Sequence, residues 1–331
     1  MIFGGRTADR PGLARARVVA AVLAVAALSP TLSASGAWAA DAAYNPPVGS
    51  RWIVETETRG EETRPDGSTT SLARTRVELT VEAKTADGFR VSWVQRGATV
   101  EGTARSVALR RAFASVPENI VIRASTDPSG KPLRIDNLDE ARAAIRRSAD
   151  GLAAQFAERP AARALFDQLM SDLTDVNAET AVPVYVDALA LLAVAQNAAM
   201  KPGEQRLVSR PVQNPLGGDA LMASERFELA DAGPAGRLTF VNVTSIDPAA
   251  MNDFMQSFAR SLLAASGDSV TPARVDLLVK SMMFSFDKRA EFDVEDGMTR
   301  KVSEKSTTVF RGMEQNLIQT ATRTIALTPA P

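Results

Sequence analysis

Residues 73–93, ARTRVELTVEAKTADGFRVSW, decide the fold. Val77, Leu79 and Val81 alternate with Arg76, Glu78 and Thr80. Phe89, Val91 and Trp93 alternate with Arg90 and Ser92. Successive side chains on a strand point to opposite faces, so each run reads as a strand with one buried and one wet face. Between them Ala86-Asp87-Gly88 supplies the Asp-Gly pair that a tight hairpin favours, because such turns demand positive φ. A pair of half-buried strands joined by a tight turn is the unit of an antiparallel sheet.

The same signals recur outward from this hairpin. Arg51 to Thr58 alternates Trp52, Val54 and Thr56 against charged or polar neighbours, and Pro65-Asp66-Gly67 is turn chemistry. The stretch from Gly60-Glu61-Glu62 to Gly67 reads as a charged, solvated loop tip. The strand begun at Phe89 extends to Val100. Thr103 to Val116 fits helix or strand. Asn119 to Ala124 reads as a strand, turned by Pro128-Ser129-Gly130 towards Leu133-Arg134-Ile135.

The middle of the chain is helical. Asn137 caps a helix whose Leu138, Ala141, Ile145, Leu152 and Phe156 fall on one stripe. Pro160 opens a second helix with Leu165, Phe166, Leu169, Met170 and Leu173. Ala181 to Ala195 is apolar nearly all round and is expected to be one buried core helix. Its length and Asp187 argue against a membrane span.

Strands return at Arg206–Arg210, Ala223–Leu229 and Arg237–Thr244. Asp247-Pro248 and Thr271-Pro272 each place a capping residue before a proline at the first helical position. Phe284–Val294 pairs with Met298–Phe310 across Glu295-Asp296-Gly297, and Leu317–Leu327 closes the chain with Leu317, Thr320 and Thr322 alternating. Helices inserted between antiparallel hairpins define an α+β class. The expected architecture is a curved, mostly antiparallel sheet, an open or incomplete barrel, packed with several α-helices. Residues 40–331 are expected to form one domain, with a subdivision near Pro202 as the alternative.

Residues 1–39 read as a cleavable Sec-type signal peptide. Arg6, Arg10, Arg15 and Arg17 precede an apolar run from Val18 to Leu28, too short to span a bilayer. Ala37-Trp38-Ala39 supplies the small-x-small cleavage pattern, with Ala37 and Ala39 flanking the tryptophan. The expected address is the periplasm or the secreted space, and no segment of the mature chain is expected to span a membrane.

The chain has no Cys and no His, 38 basic and 39 acidic side chains. It therefore has no thiol to oxidise or lipidate and none of the imidazoles on which Ser-His-Asp, Cys-His and most zinc sites depend. Arg110-Arg111 and Arg146-Arg147 are short basic pairs, too small a footprint for nucleic acid. Nothing in the pattern calls for a metal or a cofactor. Asp167, Asp172 and Asp175, and again Asp293, Glu295 and Asp296, are carboxylates close in sequence. They match no calcium loop and read as a helix face and a hairpin turn. They leave a carboxylate-dependent hydrolase as an alternative function.

The candidate binding residues are Met251, Phe254, Met255, Phe258, Met282, Met283, Phe284 and Phe286. Methionine is flexible and polarizable, and Met-rich surfaces suit acyl chains or varied hydrophobic segments. The same spacing also suits plain core packing between two helices and the sheet. Trp52 and Trp93 are expected to fill the sheet core.

The post-signal strand Arg51–Thr58, the hairpins at Asp66-Gly67 and Asp87-Gly88, the Ser129-Gly130-Lys131-Pro132 turn before a strand and helix, and the final hairpin at Asp296-Gly297 together resemble the LolA/LolB-like periplasmic proteins. This chain is longer, with extra helices and no matched functional residue. The resemblance implies an unclosed barrel covered by helices and an apolar cavity that carries lipid-modified proteins. The expected function is thus a non-enzymatic exported protein that binds an apolar ligand, a lipid or an envelope protein partner. A structural or assembly factor of the envelope with no ligand is a third reading.

Overall fold

The computed structural model describes residues 44–103, 107–212, 214, 220–266, 269–312 and 315–331; the signal segment and its cleavage residues Ala37 and Ala39 lie outside them. Among the described residues eleven strands form one antiparallel sheet. They are β1 (Arg51–Arg64), β2 (Gly67–Thr85), β3 (Gly88–Gly102), β4 (Val121–Thr126), β5 (Pro132–Ile135), β6 (Gln205–Val212), β7 (Leu221–Ala232), β8 (Leu238–Ile246), β9 (Met283–Glu295), β10 (Met298–Gly312) and β11 (Gln315–Pro329). Their spatial order is β5-β4-β3-β2-β1-β11-β10-β9-β8-β7-β6. The first and last strands of the chain pair in the middle, Trp52 opposite Pro329 through Thr63 opposite Ile318. The two outermost strands, β5 and β6, do not pair with each other, so the sheet stays open.

The hairpin chemistry of the sequence is realised. Gly88 has φ of +145°, and a Cβ there would stand 2.1 Å from the Thr126 carbonyl oxygen, so only glycine fits. Asp296 and Gly297 both take positive φ between β9 and β10.

Among the described residues seven α-helices sit in three insertions: α1 (Val107–Ser115) between β3 and β4, then α2 (Leu138–Ala153), α3 (Pro160–Thr174), α4 (Ala181–Tyr185) and α5 (Asp187–Leu192) between β5 and β6, and α6 (Pro248–Ser266) and α7 (Pro272–Ser281) between β8 and β9. Asp247 Oδ1 accepts the backbone N–H groups of Ala249 and Ala250, and Thr271 Oγ1 accepts that of Arg274, as the two capping signals require. No described helix is long and apolar enough to cross a membrane.

Four expectations are corrected. Gly60 to Arg64 is strand, not loop: β1 continues to Arg64 and pairs with Gly67 onwards in β2. The run Ala181–Ala195 is not one helix but two, broken at Val186 (φ −135°). Val182, Val184 and Val186 are β-branched and weaken the helix there, and the break turns Asp187 towards β11. Asn137 stands at the start of α2 but makes no capping bond. Its side chain instead clips β4, accepting from Arg123 N and donating to the Val121 carbonyl. In β11 Thr320 and Thr322 do not share a face with Leu317. Buried Arg323, Ile325 and Leu327 show that the odd positions point inward.

Three apolar bodies fill the concave side. Val186, Ala188, Leu189 and Leu192 of α4–α5 pack onto Phe240, Phe292, Val302 and Ile325. Helices α1–α3 form their own cluster around Ile145, Phe156 and Phe166. Helices α6 and α7 cover the other end of the sheet. Trp93 is in the core as expected, whereas Trp52 is half-buried and lies under the Arg300 guanidinium, 4.8 Å from the ring centre.

The chain has two tyrosines. Burial, with Asp127 adding to it, pushes the Tyr44 hydroxyl up to about 12. Burial also raises Tyr185, whose hydroxyl donates to the Leu173 carbonyl at 2.6 Å. The fold therefore favours the neutral phenols. Tyr44's stabilising contribution is complete below the unfolded value of about 10 and is lost as pH rises towards 12. In an absorbance titration of the native protein the Tyr44 phenolate step is expected near pH 12, with the Tyr185 step also displaced upward; two normal steps in the folded state would contradict this burial.

Candidate ligand-binding site

The strand registers allow the concave face to be read as rows. One row runs Leu229, Phe240, Phe292, Val302, Ile325 across β7 to β11, and it is the apolar floor under α4–α5. The next runs Phe227, Asn242, Ala290, Glu304, Arg323, Thr58, Ala73. A third runs Glu225, Thr244, Lys288, Ser306, Ala321, Gly60, Ser71. Beyond it lie Phe286, Thr308, Gln319 and Glu62, then Phe284, Phe310 and Leu317 beneath α6 and α7. Two polar rows thus separate two apolar ends.

The Met/Phe residues gather at the second end. Phe254 lies 5.9 Å from Phe258 and 5.9 Å from Phe284, centre to centre, and Phe258 meets Phe310 edge-on at 6.0 Å. Met255 and Met282 are buried and serve as core, Met282 packing beside Gly312. Met251, Phe254, Phe258, Phe284 and Phe286 remain half-buried. Met283 stands apart: strand alternation sends it to the convex face, where it is 46% exposed. The sequence list missed Phe310, Leu262, Leu278 and Leu317, which also belong to the cluster.

The polar rows were also missed. Glu304 is buried and bound by Lys288 Nζ at 2.9 Å. Arg323, 10% exposed, donates to Asp187 at the start of α5 at 2.6 Å. Burial works against the Arg323 charge, but Asp187 and Glu304 outweigh it and hold the guanidinium above its ordinary range. Arg210 pairs with buried Glu225, which also accepts from Thr244 Oγ1. Lys288, Glu304, Arg323 and Asp187 form an alternating chain of charge from β9 to α5. The signal was present in strand parity: Ala223-x-Glu225-x-Phe227 and Val302-x-Glu304 each put a charge on an otherwise apolar face.

Along β10, β11, β1 and β2 the polar rows narrow to small side chains. Ser306, Ala321, Gly60, Ser71, Thr58 and Ala73 are all half-buried. They form a strip beside the Met/Phe wall with few atoms standing above the backbone. The carboxylates singled out in the sequence lie elsewhere. Asp167 and Asp175 are exposed and paired with Arg163 and Arg146, and Glu295 and Asp296 are exposed at a hairpin tip.

No known protein family matches the chain, and no curated protein matches it. Among solved structures it is similar to lipovitellin (TM-score 0.40, 7% identity, 86% of this chain and 26% of that one). It is also similar to an outer membrane channel from Pseudomonas putida F1 (TM-score 0.22, 8% identity, 88% and 100%) and to the transport unit of the autotransporter AIDA-I from Escherichia coli (TM-score 0.16, 8% identity, 86% and 92%). The chain thus spans about a quarter of the lipovitellin chain. Scores this low carry no functional inference.

Proposed function

We propose that this is a non-catalytic exported protein that binds an apolar or amphipathic ligand of lipid type on the concave face of its open sheet. One observation carries the reading. Five half-buried Met and Phe side chains, on α6 and β9, border a strip of small side chains that the helices leave partly uncovered. Pockets for apolar ligands are largely preformed, apolar and set with a few polar groups, which is the composition here. Export to the periplasm rests on the signal segment alone.

The placement of the acids favours binding over carboxylate hydrolysis. Glu225 and Glu304 are buried, but they stand three strands apart, roughly 14 Å along the sheet at the usual strand spacing. A glycosidase pair needs about 5–10 Å, and both acids are already engaged by cations.

A fluorescent fatty acid titrated into the purified protein is expected to bind saturably at micromolar concentration. The double variant Phe254→Ser, Phe258→Ser is expected to weaken it by about tenfold or more, the loss of two apolar contacts. Absence of saturable binding would overturn the reading in favour of an envelope protein partner or a purely structural role.

A further inference from the structure

The charges of the concave face are nearly all accounted for. Arg210 is matched by Glu225, Lys288 by Glu304 and Arg323 by Asp187. At the far end of the small-residue strip, Glu62 uses one carboxylate oxygen for Arg64 and the other for Gln319 Nε2 at 2.9 Å. On this face, among the described residues, two cations remain without a carboxylate: Arg300, whose guanidinium lies over the Trp52 ring with Nη1 buried and unbonded, and Arg110. Arg110 on α1 is half-buried, and among the described residues no hydrogen bond or ion pair holds it.

Its place is fixed by its neighbour. Arg111 donates from Nε and Nη2 to the Val100 carbonyl at 3.3 and 3.0 Å, tying this turn of α1 to β3. Val100 pairs with Ala73, and Ala73 with Thr58, so Arg111 is pinned at the end of the row that crosses the strip. Arg110 follows it there and lies within electrostatic range of Glu62, two residues beyond Gly60. Burial lowers the Arg110 pKa, while Glu62 works in the opposite direction. A guanidinium withdrawn from water without a bound partner is unfavourable, and its planar fork matches a carboxylate or phosphate with two parallel hydrogen bonds.

We propose that the ligand is an amphiphile with an anionic head, a carboxylate or a phosphate monoester, and that Arg110 receives this head while the chain lies along the small-residue strip against the Met/Phe wall. This rests on the ligand-binding reading above. The anion supplies the missing counter-charge, and Ser71 and Thr58 on the same strip offer hydroxyl groups nearby. The apolar end then sets chain affinity and Arg110 sets head-group preference.

The test compares three probes sharing one acyl chain, oleate, oleyl phosphate and oleyl alcohol, each displacing a fluorescent lipid at about pH 8, where the carboxylate is ionised. Wild type is expected to bind at least one anionic probe about tenfold more tightly than the alcohol, with a preference that shrinks as salt rises. Arg110→Gln is expected to abolish that preference and leave oleyl alcohol binding unchanged. Oleate against oleyl phosphate tells which head the site takes. Equal binding of alcohol and anions by wild type, or a preference that survives Arg110→Gln, overturns the head-group assignment while leaving the ligand reading intact. Failure of all three probes overturns both.

Discussion

Replacing Arg323 by methionine is expected to cost about 3–5 kcal/mol of folding stability, the penalty for breaking a buried ion pair and stranding its acid. Arg323 is the hinge of the alternating chain from Lys288 to Asp187, and its removal leaves Asp187 facing the sheet without its cation. Glu304 retains Lys288. The double variant Arg323→Met, Asp187→Leu is expected to regain most of the loss, because two apolar groups need no solvation while a lone carboxylate does. Urea denaturation measures both, with the change read from the midpoint at constant slope. A single variant within 1 kcal/mol of wild type would mean that water reaches the chain of charges and that α5 is not held by it.

Phe240→Ala is expected to cost a similar amount, about 3–5 kcal/mol. Phe240 is fully buried and stacks on Phe227 with ring centres 5.4 Å apart and planes 4° from parallel. Phe227 in turn meets Phe292 edge-on. This trio lies under α4–α5, where neighbours on all sides prevent collapse into the void. Phe258→Ala at the half-buried end is expected to cost clearly less, about 1–2 kcal/mol, since less of its surface leaves water on folding. Comparing the two by thermal unfolding separates the aromatic cluster that holds the fold from the one assigned to ligand. Equal losses would place both in the same closed core.

The sequence disclosed the sheet well where one strand face was continuously apolar. Val77-Glu78-Leu79-Thr80-Val81 and Ala290-Glu291-Phe292-Asp293-Val294 announce both strand and face. It failed where that contrast vanished. Gly60-Glu61-Glu62 looked like a loop because the inward positions there are Gly60 and Glu62, with no apolar residue to betray the period. The feature that hid the strand, small and polar side chains on the concave face, is the feature that leaves the strip uncovered. The charged rows escaped for a related reason: Glu304 and Arg323 are ordinary surface residue types, and only register places them opposite each other inside. Met and Phe at helical spacing did reveal the apolar wall, but parity along β9 was needed to separate Met283 from Phe284 and Phe286.

The pairing of β1 with β11 has a consequence for how the molecule comes into being. The midline of the sheet is made from strands separated by nearly the whole described chain, so the seam is the contact of longest range. Each half, β1 to β5 and β6 to β10, can form its own hairpins from neighbours in sequence, but neither can join the other until β11 exists. Contacts of such range slow folding, because the loop must close before any of its bonds form. A chain emerging from a ribosome would therefore stay in two unjoined leaves until its closing strand is made.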